Sequence, residues 1–125
     1  MNVVDSSAWL EYFADGPNAT FFAPAIRRTG ELVVPTITLY EVFKRILQQR
    51  SEGDALQAVA AMQQGRVVEL DSQIALTAAR ISKDCKLPMA DSVILASAQA
   101  FGALLWTQDD DFKGLPGVRY RPVRS

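Results

Sequence analysis

The sequence contains no histidine, a single cysteine, and no apolar run long enough to cross a bilayer. Without histidine there is no Ser-His-Asp or Cys-His nucleophile and no histidine-ligated metal site. The lone Cys85 cannot close an intrachain disulfide and has no companions for a thiolate metal set, so it is expected to be a buried structural thiol. Apolar runs fall well short of the roughly 18 residues a membrane span requires, which implies a soluble chain with no membrane association. The N-terminus, MNVVDSSAWLEYF, carries no basic segment and meets an acid at Asp5. It is expected to be mature structure rather than a signal peptide, with the cytoplasm as the default location. The formal net charge of −1 lacks the basic excess usual in nucleic-acid-binding domains. Small basic clusters nevertheless occur at Arg27-Arg28, Lys44-Arg45 and Arg119, Arg121 and Arg124, each of which taken singly is an ordinary solvated face. Neither G-x-G-x-x-G nor G-x-x-x-x-G-K-[ST] occurs, which sets aside dinucleotide and P-loop nucleotide binding. Catalysis, if any, is left to carboxylates, hydroxyls, lysines or a hard metal ion.

What is present is a regular alternation of short apolar runs and helical patterns, without repeats or linkers, and residues 1–125 are expected to form one domain. NVVD at 2–5 reads as a strand closed by residues that cap a helix carrying Ala8, Trp9, Tyr12 and Phe13. A second helix is expected at about 18–29, a strand at 32–35, and a helix over 36–51 with Leu39, Val42, Phe43, Ile46 and Leu47 on one face. A helix at about 53–64, a strand at 66–70, and helices at 72–86 and 89–101 follow, then strands at 103–107 and near VRYRPV. Strands alternating with helices imply parallel pairing through right-handed crossovers. The expected fold is a three-layer α/β/α domain with a mainly parallel sheet of four or five strands. Ligands of such sheets collect outside the carboxyl ends of the strands, where Asp5 and Asp109 would both lie.

The acids have local explanations one by one. Asp5 suits a helix N-cap, and Glu41 suits a capping box begun by Thr38 or a pair with Arg45. Asp91 stands in the first turn of an otherwise apolar helix, favoured by its dipole but in need of a partner or cation. Asp109, Asp110 and Asp111 are more than a cap requires. Together, carboxylates without histidine or cysteine form a ligand set for a hard cation such as magnesium or manganese. Their mutual repulsion would otherwise raise their pKa values. A cation held in this way suits phosphodiester hydrolysis.

The segments VVDSSAWLEYF, PTITLYEVFKRI, LPMADSVILASAQAFGALLWT and TQDDDFKGLPGVRY, in this order, resemble the PIN-domain nucleases, and among them the VapC-type toxins of toxin-antitoxin pairs. The resemblance implies that Asp5, Glu41, Asp91 and Asp109 are the catalytic acidic quartet binding Mg2+ or Mn2+, with Asp111 as an additional ligand or neighbour. It places Ser7 and Thr107 as polar partners of those acids and nominates no role for Asp110. The implied activity is endoribonuclease action on cellular RNA, usually transfer or ribosomal RNA. The implied partners are a small cognate antitoxin lying across the active-site groove and a second copy of the chain. Two other readings stay open at this point: a PIN fold serving as a non-catalytic scaffold, and a phospho-receiver domain. The latter lacks the expected acidic pair at the first strand and the late strand-end lysine.

Overall fold

In a computed structural model describing residues 1–124, five short strands form one fully parallel sheet: β1 (Asn2–Val4), β2 (Leu32–Pro35), β3 (Arg66–Val68), β4 (Leu104–Thr107) and β5 (Val118–Tyr120). Their spatial order is β3-β2-β1-β4-β5. The period-2 alternation of the strands sorts the core into two layers. Val4, Leu32 and Val34 face one side, where they meet α1 (Ser6–Phe13), α2 (Ala19–Arg27), α3 (Thr36–Gln49) and α4 (Glu52–Met62) through Trp9, Phe22, Val42 and Met62. Val3, Val33, Val68 and Leu105 face the other side, packed against Ile94, Leu95 and Ala98 of α6 (Met89–Ala100). Helix α5 (Ser72–Cys85) closes over α6 through Ile74 and Ala78, which meet Val93 and Ala96. Residues 92–98 of α6 are consecutively buried, as a helix covered from two sides must be. Its two buried hydroxyls are satisfied within the helix: Ser92 donates to the Pro88 carbonyl and Ser97 to that of Val93, each at 2.8 Å. Among the described residues no helix is long and apolar enough to cross a membrane.

The three-layer arrangement is the expected one, with all five strands parallel. Some boundaries differ for local reasons. The second helix ends at Arg27 rather than 29, because Arg28 leaves helical geometry and a 3-10 turn at Thr29–Glu31 leads into β2. Strand β3 stops at Val68 rather than 70, since its only neighbour, β2, ends at Pro35, the partner of Val68. Cys85 is exposed, which corrects the expectation of a buried thiol. It continues the helical spacing of α5, but it is the last residue of that helix, before Lys86 turns into left-handed geometry at φ 56°.

The crossover between β4 and β5 contains no α-helix. Residues 108–117 make the connection with a single 3-10 turn, Asp110–Phe112, whose Phe112 ring is fully buried against the α6 side of the sheet. Parallel strands are ordinarily joined by a dozen or more residues. The shorter path keeps three acids in a row at the carboxyl end of the sheet instead of carrying the chain away from it.

Candidate active site

The strand order reverses at β1, whose neighbours β2 and β4 receive their connections from opposite faces, so a crevice is expected outside the carboxyl ends of β1 and β4. Asp5 stands at that point. Its backbone N–H donates to the Trp106 carbonyl at 3.1 Å, joining it to β4. Its carboxylate, 2% exposed, is the N-cap of α1 and accepts from the Ala8 N–H at 3.0 Å and the Ser7 hydroxyl at 2.9 Å. The second oxygen accepts from the Thr107 hydroxyl at 2.7 Å. Burial pushes Asp5 up to about 6; the bonds from Thr107, Ala8 and Ser7 pull against this, and the nearby charge of Asp109 adds to it.

Thr107 links two acids with one oxygen. While donating to Asp5, it accepts from the Asp109 N–H at 2.9 Å. Asp109 in turn caps the 3-10 turn, accepting from the Asp111 N–H at 2.9 Å. That turn brings the Asp111 carboxylate back towards the strand end. Asp91 approaches from the first turn of α6, and one carboxylate oxygen from each of Asp91, Asp109 and Asp111 lies within 4.8 Å of the others. Burial pushes Asp91 up to about 7, with Asp109, a hydrogen bond to Asp111, and the charges of Asp5 and Asp111 acting in the same direction.

Asp5 and Glu41 stand outside this three-acid group. Asp5 adjoins it through Thr107 and by its charge. Glu41, on α3, accepts from the Ser6 hydroxyl at 2.6 Å and so faces the turn that follows Asp5. The capping-box reading of Glu41 does not hold: α3 begins at Thr36 with Pro35 as its N-cap, and Thr38 donates to the Pro35 carbonyl at 2.7 Å. Ser7 and Thr107 both donate to Asp5. Asp110 is exposed and accepts from the Tyr120 hydroxyl.

Three participants were not visible in the sequence. Ser6 is one, and Asn18 and Gln108 are the others. Asn18 is completely buried, and its amide donates to Gln108 Oε1 at 3.1 Å and to the Pro122 carbonyl at 2.9 Å. It thereby clasps the residue before Asp109 to the C-terminal segment, across 90 and 104 positions of sequence. Ser7, Gln108, Asp109, Asp110, Pro122 and Val123 line an open cavity of about 430 Å3 beside the acids.

The donor set is oxygen only, and burial, with neighbouring carboxylates adding to it, raises the pKa of both Asp5 and Asp91. Such a site fits a hard divalent cation such as magnesium or manganese, whose charge would reverse the repulsion.

Comparison with solved structures agrees with this architecture. A toxin-antitoxin complex from Klebsiella pneumoniae contains a chain similar over 95% of this one and 96% of its own length, at 23% identity and a TM-score of 0.81. Mycobacterium tuberculosis VapC20, described as a sarcin-ricin loop cleaving toxin, is similar over 93% and 95% of the two chains, at 14% identity and a TM-score of 0.77. DNA-bound VapBC from Salmonella typhimurium is similar over 98% of both chains, at 18% identity and a TM-score of 0.72. At these identities the likeness concerns the fold. No curated protein sequence matches significantly. The PIN domain family model matches residues 3–118, nearly the whole chain and a span that contains the acids named above, which sets the phospho-receiver reading aside. The chain therefore belongs to the PIN domain family.

Proposed function

We propose that this protein is the toxin of a toxin-antitoxin pair, a magnesium- or manganese-dependent endoribonuclease that hydrolyses phosphodiester bonds in cellular RNA. The observation that carries the reading is the meeting of Asp91, Asp109 and Asp111 at the carboxyl edge of the sheet, with Asp5 held against them. In this reading Asp91, Asp109 and Asp111 hold the ion, and Asp5 and Glu41 complete the acidic wall. Bound between these residues, a divalent ion would supply Lewis acidity to activate water at neutral pH and offset charge on the phosphoryl oxygens. Thr107 and Ser7 fix the rotamer of Asp5 and favour its ionised form. Ser6 holds Glu41 towards the same crevice. The apolar α6 behind Asp91 keeps one side of the site dry, which strengthens each charge interaction.

Transfer or ribosomal RNA is the proposed target, in keeping with the sarcin-ricin loop named for VapC20. A small antitoxin is the proposed partner, as in the Klebsiella pneumoniae complex. The proposal extends to a homodimer or toxin-antitoxin hetero-oligomer in the cytoplasm. Exposed apolar side chains such as Leu56, Leu76 and Met89 offer surface for such contacts.

Purified protein incubated with total RNA and magnesium or manganese is expected to cleave it at discrete sites, and to stop when the ions are chelated. Asp5→Asn and Asp91→Asn are each expected to lower the rate by more than the roughly 10- to 100-fold typical of losing an outer partner of a metal ligand. Undiminished cleavage by both variants would overturn the acidic mechanism. A wild-type protein that leaves all RNA intact would point to a scaffold role.

A further inference from the structure

The acids account for chemistry on a phosphodiester but repel the strand that carries it. Something basic must seat that strand, and one basic feature beside the site is backed by aromatic rings. Arg119 on β5 pairs in register with Trp106 on β4, and its guanidinium lies 5.5 Å from the indole centroid. Arg121, two residues on and therefore on the same face, lies 4.4 Å from the centroid of Phe21. The two rings are themselves in contact, at 5.2 Å and a tilt of 54°. Both are braced from behind: the indole N–H of Trp106 donates to Asn2 at 2.9 Å, and Phe21 packs edge-on against the buried Phe22. The order Arg121, Phe21, Trp106, Arg119 is a continuous ladder with two exposed guanidinium plates.

Charged residues are common on edge strands, where they discourage pairing with other chains. That role needs no aromatic ring beneath each charge. Stacking restrains a guanidinium and leaves its N–H edge free, the arrangement suited to bidentate recognition of phosphate. The two guanidiniums are the outer members of the ladder, with the rings of Trp106 and Phe21 between them, so they offer two separate contact points along one extended strand. They are also joined to the acids. The Arg121 N–H donates to the Thr107 carbonyl at 3.0 Å, and the next residue, Pro122, lines the cavity that contains Asp109.

We propose that Arg119 and Arg121, stacked on Trp106 and Phe21, form a phosphate-binding rail that seats the RNA backbone beside the acidic site. This rests on the ribonuclease reading for its substrate class. The experiment is binding of a fluorescent single-stranded oligoribonucleotide to the intact chain in EDTA, where affinity is read without hydrolysis, over a series of salt concentrations. Each phosphate contact to a single strand contributes about 0.7 to the slope of log affinity against log salt. Arg119→Gln with Arg121→Gln is therefore expected to reduce the slope by about 1.4. Arg80→Gln, at an exposed position on α5, is expected to leave it unchanged. Arg121→Lys keeps the charge and loses the plate, so the slope should persist while affinity falls several-fold. An unchanged slope in the double variant overturns the rail, including the case in which these arginines hold a protein partner instead, and so does an absence of RNA binding by the wild type. Failure of the nuclease reading is distinguishable: RNA would bind with the expected slope yet remain uncut in magnesium or manganese.

Discussion

Thr107 performs two tasks with one hydroxyl, donating to the buried Asp5 and accepting from the Asp109 N–H. Replacement by valine keeps the shape and removes both bonds. A hydrogen bond to a buried charged group contributes roughly 1.5–3 kcal/mol, so Thr107→Val is expected to lower stability by an amount in that range. Its kinetic signature is more specific. Because the Thr107 bond holds the Asp5 pKa down, its loss lets that pKa rise, and the acidic limb of the pH–rate profile should move to higher pH. The rate at neutral pH should fall roughly 10- to 100-fold. A variant with an unshifted limb would show that Asp5 ionisation does not limit the reaction. Asp5 was legible in the sequence because it follows a strand end, where an acid has a local reason to be, whereas Thr107 was indicated only by the family resemblance. Ser6 and Glu41 meet across 35 positions, and no periodicity reports such a contact. Asn18 was hidden for the same reason. Asp111 stood out as an acid, but its place among the three mutually close carboxylates depends on the 3-10 turn bending back onto Asp109. Cys85 misled because helical spacing continues past the point where α6 stops covering α5.

Helix and sheet meet closely where α4 returns to β3. Gly65 ends that turn, its N–H donating to the Met62 carbonyl at 3.2 Å. A methyl group there would come within 2.9 Å of side-chain carbons of Leu32 and Val34, both in the core of β2. Neither neighbour has room to withdraw, so Gly65→Ala is expected to cost about 1–3 kcal/mol through overpacking. Gly30 is the internal control, since a methyl group added there meets nothing within 4 Å. Urea denaturation should show a lowered midpoint for Gly65→Ala and little change for Gly30→Ala. Equal midpoints would mean that β2 is looser than its packing implies. At this scale the sequence was most informative where burial imposes a period. Val3 and Val4, like Val33 and Val34, split between opposite faces as alternation requires. Ends were less legible, because they answer to partners. The short β3 is set by where β2 stops, and the exit from α2 by the 3-10 turn that aims the chain at β2.

The charge arrangement of the site ties the stability of the whole molecule to pH and to divalent ions. An unfolded chain holds its aspartates near the ordinary 3.8, whereas the fold raises Asp5 to about 6 and Asp91 to about 7. Below about pH 4 both states are protonated and the contribution is fully present. Between pH 4 and 7 the folded state retains protons that the unfolded state releases, so stability falls as pH rises through the folded values. The metal-free protein is therefore expected to melt at a lower temperature at pH 8 than at pH 5. The full loss from Asp5 should be on the order of 3 kcal/mol, roughly half of it between pH 5 and pH 8; that from the more accessible Asp91 is discounted because solvent screens it. A cation bound by the ionised carboxylates acts in the opposite sense, adding stability that grows with its concentration relative to its dissociation constant. Magnesium or manganese should thus raise the melting temperature strongly at pH 8 and weakly at pH 5, where protons compete for the same oxygens. In Asp91→Asn the pH-dependent fall should shrink and the ion-induced rise should largely disappear. Differential scanning calorimetry at the two pH values, with EDTA or with excess ion, measures all four quantities. An ion effect of equal size at both pH values, or one retained in Asp91→Asn, would place the bound cation away from these acids.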